Sequence, residues 1–98
     1  MDTVSVCYVM RHEPTGKLYV GATHDYNKRK ADHYTRLQRG VHPCKPLQAL
    51  YNQLPNPELF TWELFVCFSF EAALMAKQKL ITDYQSTGNL LSSVFGLV

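Results

Sequence analysis

The sequence predicts an α/β sandwich of the α+β kind, a small three-stranded, mostly antiparallel sheet flanked by helices in the order β-β-α-α-β-α. Three features carry that expectation. Two β-branched, aromatic runs flank the turn-forming stretch HEPTG. A segment of helical period lies between Thr23–Asp25 and Gly40. A third apolar run, LFTWELFVCF, leads directly into a long amphipathic stretch that opens at Ser69.

Thr3–Arg11 (TVSVCYVMR) sets Val4, Val6, Tyr8 and Met10 against Ser5, Cys7, Val9 and Arg11, so it reads as a strand buried over much of both faces. Pro and Gly in HEPTG reverse the chain into a second strand, Lys17–Ala22. The register of this hairpin is not fixed by sequence. Tyr8 opposite Tyr19 or Gly21 brings both tyrosines to one face, and a slip of one residue separates them. Thr23–Asp25 can cap a helix that runs to about Arg39 and closes at Gly40. Tyr26, Tyr34 and Leu37 form its apolar side, while Arg29, His33 and Arg36 form an adjacent row that could border a cleft. HPCKP is a loop, followed by a short helix through Leu47, Leu50 and Tyr51 that LPNP breaks. Leu59–Phe68 is the third strand. Ser69 then caps a helix with Glu71 in its first turn, where the dipole favours a carboxylate, and STGN ends it after about Gln85.

With 98 residues, 46% of them hydrophobic, the chain suits one folded domain spanning 1–98. No apolar run is long enough to cross a bilayer and the N-terminus lacks a signal-peptide layout, so the expectation is a cytoplasmic protein without membrane contact. Cys7, Cys44 and Cys67 are scattered, with no CxxC pair, and read as reduced thiols. The charge is uneven. Between residues 17 and 45 lie Lys17, Lys28, Arg29, Lys30, Arg36, Arg39 and Lys45 against Asp25 and Asp32, a net +5 in a chain of net +2. That segment suits a surface meeting a polyanion, and equally a solvated helix face.

The last helix holds an anomaly. At 100° per residue Ala73, Leu80, Tyr84, Phe70, Ile81 and Leu74 share one arc, and Lys77 falls in its middle. Glu71, Lys79 and Asp83 lie outside the arc. An inward ammonium costs several kcal/mol unless it is paired, opens onto a cavity, or snorkels along its stem to the edge.

Cys7–Tyr8 followed by the YVG of Tyr19–Gly21 resembles the paired strand motifs of the GIY-YIG nuclease family, although Val6 and Cys7 stand where Gly and Ile are usual. The helix after YVG carries Arg29 and His33 where the family has a catalytic arginine and, in many members, a histidine. His42 after the RG turn, the stretch LQALYN and the late Asn89 extend the resemblance from about Val4 to Leu90, and phage homing endonucleases look most similar. The resemblance implies a prokaryotic or phage endonuclease domain acting on nucleic acid, DNA foremost, with Mg²⁺ or Mn²⁺ held by one glutamate of the last helix. That glutamate falls at Lys77. An ammonium has no lone pair for a hard cation, so the chain as written would be inactive or badly impaired. The exchange is either natural or deliberate.

By the same resemblance Tyr8 or Tyr19 activates the attacking water, which requires that neighbouring cations lower a phenol pKa from near 10. Arg29 clamps the phosphate, His33 relays a proton or holds a phosphate oxygen, Lys77 offers the phosphate a point charge, and Asn89 supports the site. Gly21, Lys28, Lys30, Arg36, Arg39, His42 and Lys45 are the expected nucleic-acid contacts. A non-catalytic nucleic-acid binder of the same fold and a protein-interaction domain are the alternatives. Few residues remain for sequence readout, which leaves nonspecific, structure-selective or homodimeric action open.

Overall fold

The computed structural model describes residues 5–91. The expected order is the order found: β1 (Ser5–His12), β2 (Lys17–Thr23), α1 (Tyr26–Arg39), α2 (Lys45–Gln53), a single 3₁₀ turn at Pro57–Leu59, β3 (Phe60–Cys67) and α3 (Phe70–Gln85). The expected strand start at Thr3 and Val4 lies outside the described residues.

β1 is the middle strand, antiparallel to β2 on one side and to β3 on the other. Tyr8 pairs with Gly21 and Met10 with Tyr19, which is the register that brings both tyrosines to one face. That face packs under α1 and α2 in a cluster of Tyr8, Met10, Tyr19, Leu37, Leu47, Tyr51 and Phe60. Cys7, Val9, Leu18 and Val20 point the other way, beneath Ile81 of α3. Burial on both faces is why β1 and β2 read as near-continuous apolar runs.

The helix termini follow their sequence signals. Asp25 accepts from Lys28 N–H at 3.2 Å and Ser69 from Ala72 N–H at 3.1 Å, each supplying a donor of the first turn with its acceptor. Gly40 closes α1 with φ of 75°, a left-handed conformation that glycine adopts without Cβ strain. After α3, Leu18 N–H donates to the Asn89 carbonyl and Leu91 N–H to the Leu18 carbonyl, so the chain returns along β2.

Two expectations change. The buried stripe of α3 is Ala73, Lys77 and Ile81, and the expected flank of Phe70 and Leu74 is 38% and 41% exposed. β3 is an edge strand, and Phe65, which shares the α3 face with Cys7, is 40% exposed, so among the described residues that side of the helix stays open. In α2 the buried residues are Leu47, Gln48 and Tyr51, because Gln48 turns inward to a polar task and Leu50 stays at the rim.

Candidate active site

Tyr8 is the centre of the site. Its ring lies over Gly21 on the neighbouring strand, and a Cβ there would stand far inside contact distance of Tyr8 Cζ and Oη. Gly21 is therefore a space for the phenol, and its burial removes it from the expected nucleic-acid contacts. Tyr8 Oη is 2.7 Å from His33 Nε2, and His33 Nδ1 is 2.7 Å from His42 Nε2, with the two imidazoles stacked 5.0 Å apart.

The direction of this chain follows from one backbone group. Cys44 N–H can only donate, and it donates to His42 Nδ1 at 3.0 Å. Neutral His42 must then carry its hydrogen on Nε2 and donate to His33 Nδ1. His33 in turn carries its hydrogen on Nε2 and donates to Tyr8 Oη. The phenolic hydrogen is left to point away from the histidines. Gln48 secures the far end: its Oε1 accepts from His42 N–H at 3.0 Å, and its amide donates to the Leu37 carbonyl and to Asn52 Oδ1.

Both histidines are 1% exposed and stay neutral. Burial, followed by the charges of His42, Arg29 and Arg36, lowers His33 to about 3. Burial and Arg36 lower His42 to about 4. His33 thus does not border a cleft as its helix position suggested. Both its ring nitrogens are engaged inside the protein, which leaves proton relay and removes a direct hold on a phosphate oxygen. His42 is likewise internal and cannot be the expected nucleic-acid contact.

The phenols also depart from expectation. Arg29 and Arg36 do act to lower Tyr8 and Tyr19, but burial outweighs them. Tyr8 is held far above the ordinary phenol range, with Tyr19 beside it adding to the rise. Tyr19 is pushed up to about 12, by burial first and then by Cys44. Neither is a phenolate at neutral pH. The hydroxyl of Tyr8 is instead an oriented hydrogen-bonding group.

These neutral histidines predict acid sensitivity. Each has a folded pKa below its unfolded value near 6.5, so each adds stability in full above that value and loses it as pH falls toward 3–4. Two groups some two pH units below their unfolded value should cost the fold about 3–5 kcal/mol at pH 4.5. Urea unfolding at pH 7 and pH 4.5 checks this, and a His33→Gln, His42→Gln double variant should lose much less between the two pH values. Equal losses in parent and variant would sink the assignment.

Arg29 is the common neighbour, half-buried, with its charge felt by Tyr8, Tyr19, His33 and Lys77. Lys77 lies on the buried stripe of α3, which covers the Cys7 face of the sheet, and is 7% exposed, so its stem does not carry it out to solvent. Of the other expected contacts, Lys28, Arg39 and Lys45 are exposed and Arg36 is half-buried. Lys30 stands over the rings of Tyr26 and Trp62, 5.8 and 5.6 Å from their centroids. Asn89 is exposed on its side-chain side and tied in through its backbone.

Trp62, Gln48 and the Cys44 N–H are participants that sequence reasoning missed. Trp62 packs 5.4 Å from Tyr8 and 5.9 Å from His33 and donates its indole N–H to Tyr34 Oη at 2.8 Å. The LQALYN stretch was a signal for Gln48; nothing in sequence marks the other two.

The donors at position 77 do not fit a divalent cation. Lys77 offers hydrogens and no lone pair. Glu63 sits opposite Val9 on the α3 face and is exposed, Glu71 is exposed, and Asp83 pairs with Lys79 at 3.7 Å on the surface. Among the described residues no group of three or more His, Cys, Asp and Glu could hold a metal.

This constellation sits on a sheet-and-helix frame that known proteins share. The resemblance to GIY-YIG nucleases holds in three dimensions: the chain has the fold of that catalytic domain. One solved structure similar to it is the catalytic domain of intron endonuclease I-TevI, in a glutamate-to-alanine mutant, with TM-score 0.76 and 25% identity over 88% of this chain and 89% of that one. The catalytic domain of the homing endonuclease I-TevI is a second, with TM-score 0.75 and 20% identity over 92% of this chain and 99% of that one. No family model matches the sequence, and no curated protein does. Among the described residues no helix is long and apolar enough to cross a membrane.

Proposed function

We propose that the chain is a DNA-binding domain of nuclease fold whose metal-dependent phosphodiester hydrolysis is lost or badly impaired as written. The observation that carries this is the convergence of cations on the Tyr8 site: the charges of Arg29 and Arg36 are both felt by Tyr8, Tyr19 and His33, and the exposed Lys28, Arg39 and Lys45 extend the same basic segment. A surface segment with this excess of positive charge suits an anion, and a backbone phosphate supplies one. Arg29 presents planar, permanently charged donors to the phosphate oxygens, Lys77 adds a point charge, and the neutral Tyr8 hydroxyl is steadied by His33. Lys28, Arg39 and Lys45, exposed along α1 and the start of α2, lead the strand to this point. The likeness to endonuclease catalytic domains supports a strand of DNA as the ligand.

Binding of a fluorescent duplex at several salt concentrations tests the reading. Affinity should fall steeply with salt, and Arg29→Ala should weaken binding to all sequences alike and make the logarithmic salt slope shallower by about 1. Binding indifferent to salt would instead favour a protein-interaction domain.

A further inference from the structure

The two edges of the sheet are treated differently. The β2 edge is followed by the returning chain, where Leu18 N–H donates to the Asn89 carbonyl at 2.9 Å and Leu91 N–H to the Leu18 carbonyl at 2.7 Å. Among the described residues nothing pairs with the outer side of β3. The phase of the ladder shows which groups are left there. Glu13 N–H donates to the Leu59 carbonyl in the register that joins β1 to β3, so the odd-numbered residues of β3 bond to β1. The N–H and C=O groups of Trp62, Leu64 and Val66 therefore point away from the sheet.

Sheet edges that stay single are ordinarily blunted by a lysine, a proline, a bulge or a covering loop. Residues 64–68 read LFVCF, with no charge and no proline, and the pairing with β1 runs without a bulge from Cys67 back to Phe60. Leu64, Phe65 and Val66 are 43%, 40% and 75% exposed, and Phe68, just past the strand, is fully so. An uncharged, β-prone edge of this kind is a template for one more strand.

The strand itself meets the requirements for that partner. We propose that a second copy of this chain docks here, β3 against β3 in antiparallel sense, to make one six-stranded sheet with its two-fold axis at Val66. In that register Leu64 faces Phe68 and Phe65 faces Cys67, so apolar side chains stand opposite one another on both faces. Glu63, the one charge of residues 60–69, falls opposite Ser69 and never meets its own copy. The outward backbone groups of Leu64 and Val66 are the ones that exchange bonds across the axis. Each copy uses the same edge, so assembly closes at two. Leu64, Phe65, Val66 and Phe68 offer on the order of 500 Å² per copy. Two copies bury about 1,000 Å², at the small end of specific interfaces, which makes the dimer reversible. It does not depend on whether DNA is the ligand of the Tyr8 site.

Sedimentation of the whole chain under reducing conditions tests this. The average mass should rise toward twice that of the chain between low and high micromolar concentration, and stop there. Val66→Lys sets two ammonium groups face to face at the axis and should raise the dissociation constant by about tenfold or more. At so exposed a position it should leave thermal unfolding of the dilute protein unchanged. Phe65→Cys places a thiol opposite Cys67 of the second copy at a non-hydrogen-bonded position, where facing Cα atoms lie about 4.5 Å apart. Mild oxidation should then give a covalent dimer whose mapped link joins the introduced thiol to Cys67, and this result stands even where Val66→Lys fails to fold. A chain that stays monomeric at every concentration overturns the proposal, whether residues 92–98 or another protein takes the edge. So does growth beyond the dimer, a folded Val66→Lys that dimerises as tightly as the parent, or a link mapped elsewhere.

Discussion

Replacing Lys77 by glutamate should give a chain that nicks supercoiled plasmid in Mg²⁺, where the parent, on the proposed reading, hardly does. The expected gain is about 10³–10⁵ in rate, the worth of several kcal/mol at roughly 1.4 kcal/mol per decade. The reasoning rests on position and chemistry together. Residue 77 is on the buried stripe of α3, where the resemblance to GIY-YIG nucleases expects the metal-binding glutamate, and the charge of Arg29 is felt there as it is at Tyr8. Oxygen donors suit a hard cation and an ammonium does not. In EDTA the variant, two charges more negative beside the phosphate, should bind DNA more weakly than the parent, so cutting is compared at saturating protein to isolate the catalytic change. If neither cuts while both bind, the domain is a binding module and the tyrosines and histidines serve only its architecture. Cutting by the parent at the variant's rate would place the metal on another carboxylate.

The second large effect concerns stability. Gly21→Ala adds one methyl group at the spot where the ring of Tyr8 crosses β2. The obstacle is the phenol itself, at 0% exposure and tied to His33, so it cannot swing aside as a surface side chain would. Either the β1–β2 ladder parts or Tyr8 leaves its hydrogen bond. A cost of about 3–5 kcal/mol follows, which in a domain of this size is a melting temperature lower by about 12–25 °C. Thermal unfolding measures it directly. Tyr8→Ala made in the same chain should absorb most of the penalty, so that the double variant is far more stable than the sum of the two single changes predicts. Strict additivity would show that the methyl group meets something other than Tyr8.

What was legible in the sequence was whatever local pattern controls. Alternation and the HEPTG turn gave the hairpin, Asp25 and Gly40 bounded α1, and the 100° period put Lys77 inside. The motif residues come together in the fold, since Tyr8, Tyr19, His33 and His42 touch one another and the charge of Arg29 is felt by Tyr8, Tyr19, His33 and Lys77. Three things were not legible. The burial of His33 depends on partners 25 positions before it and 9 after it, and a helix wheel cannot register either. The direction of the hydrogen-bond chain depends on a single backbone N–H, at Cys44, that any residue but proline would supply. The phenol pKa values turn on a contest between desolvation and two arginines, which only the depth of burial decides. The exposed flank of α3 has a similar origin, because β3 being an edge strand is a property of topology.

The central position of β1 has a further consequence for how the molecule opens. Each ladder of the sheet includes β1, and β2 and β3 never touch each other through backbone bonds. The hairpin with β2 closes over a short turn, whereas the pairing of Ser5 with Cys67 closes most of the chain. Outer-strand fraying therefore starts at β3, which can detach while the Tyr8 hairpin keeps its register. Protons on β1 that bond to β2 should exchange with solvent only when the whole domain unfolds, and those that bond to β3 sooner. Two protection classes alternating along one strand would be visible by amide exchange, and uniform protection along β1 would show that the sheet yields as a single piece. The tyrosine site, built on the slower half, would then be the last part of this small protein to come apart.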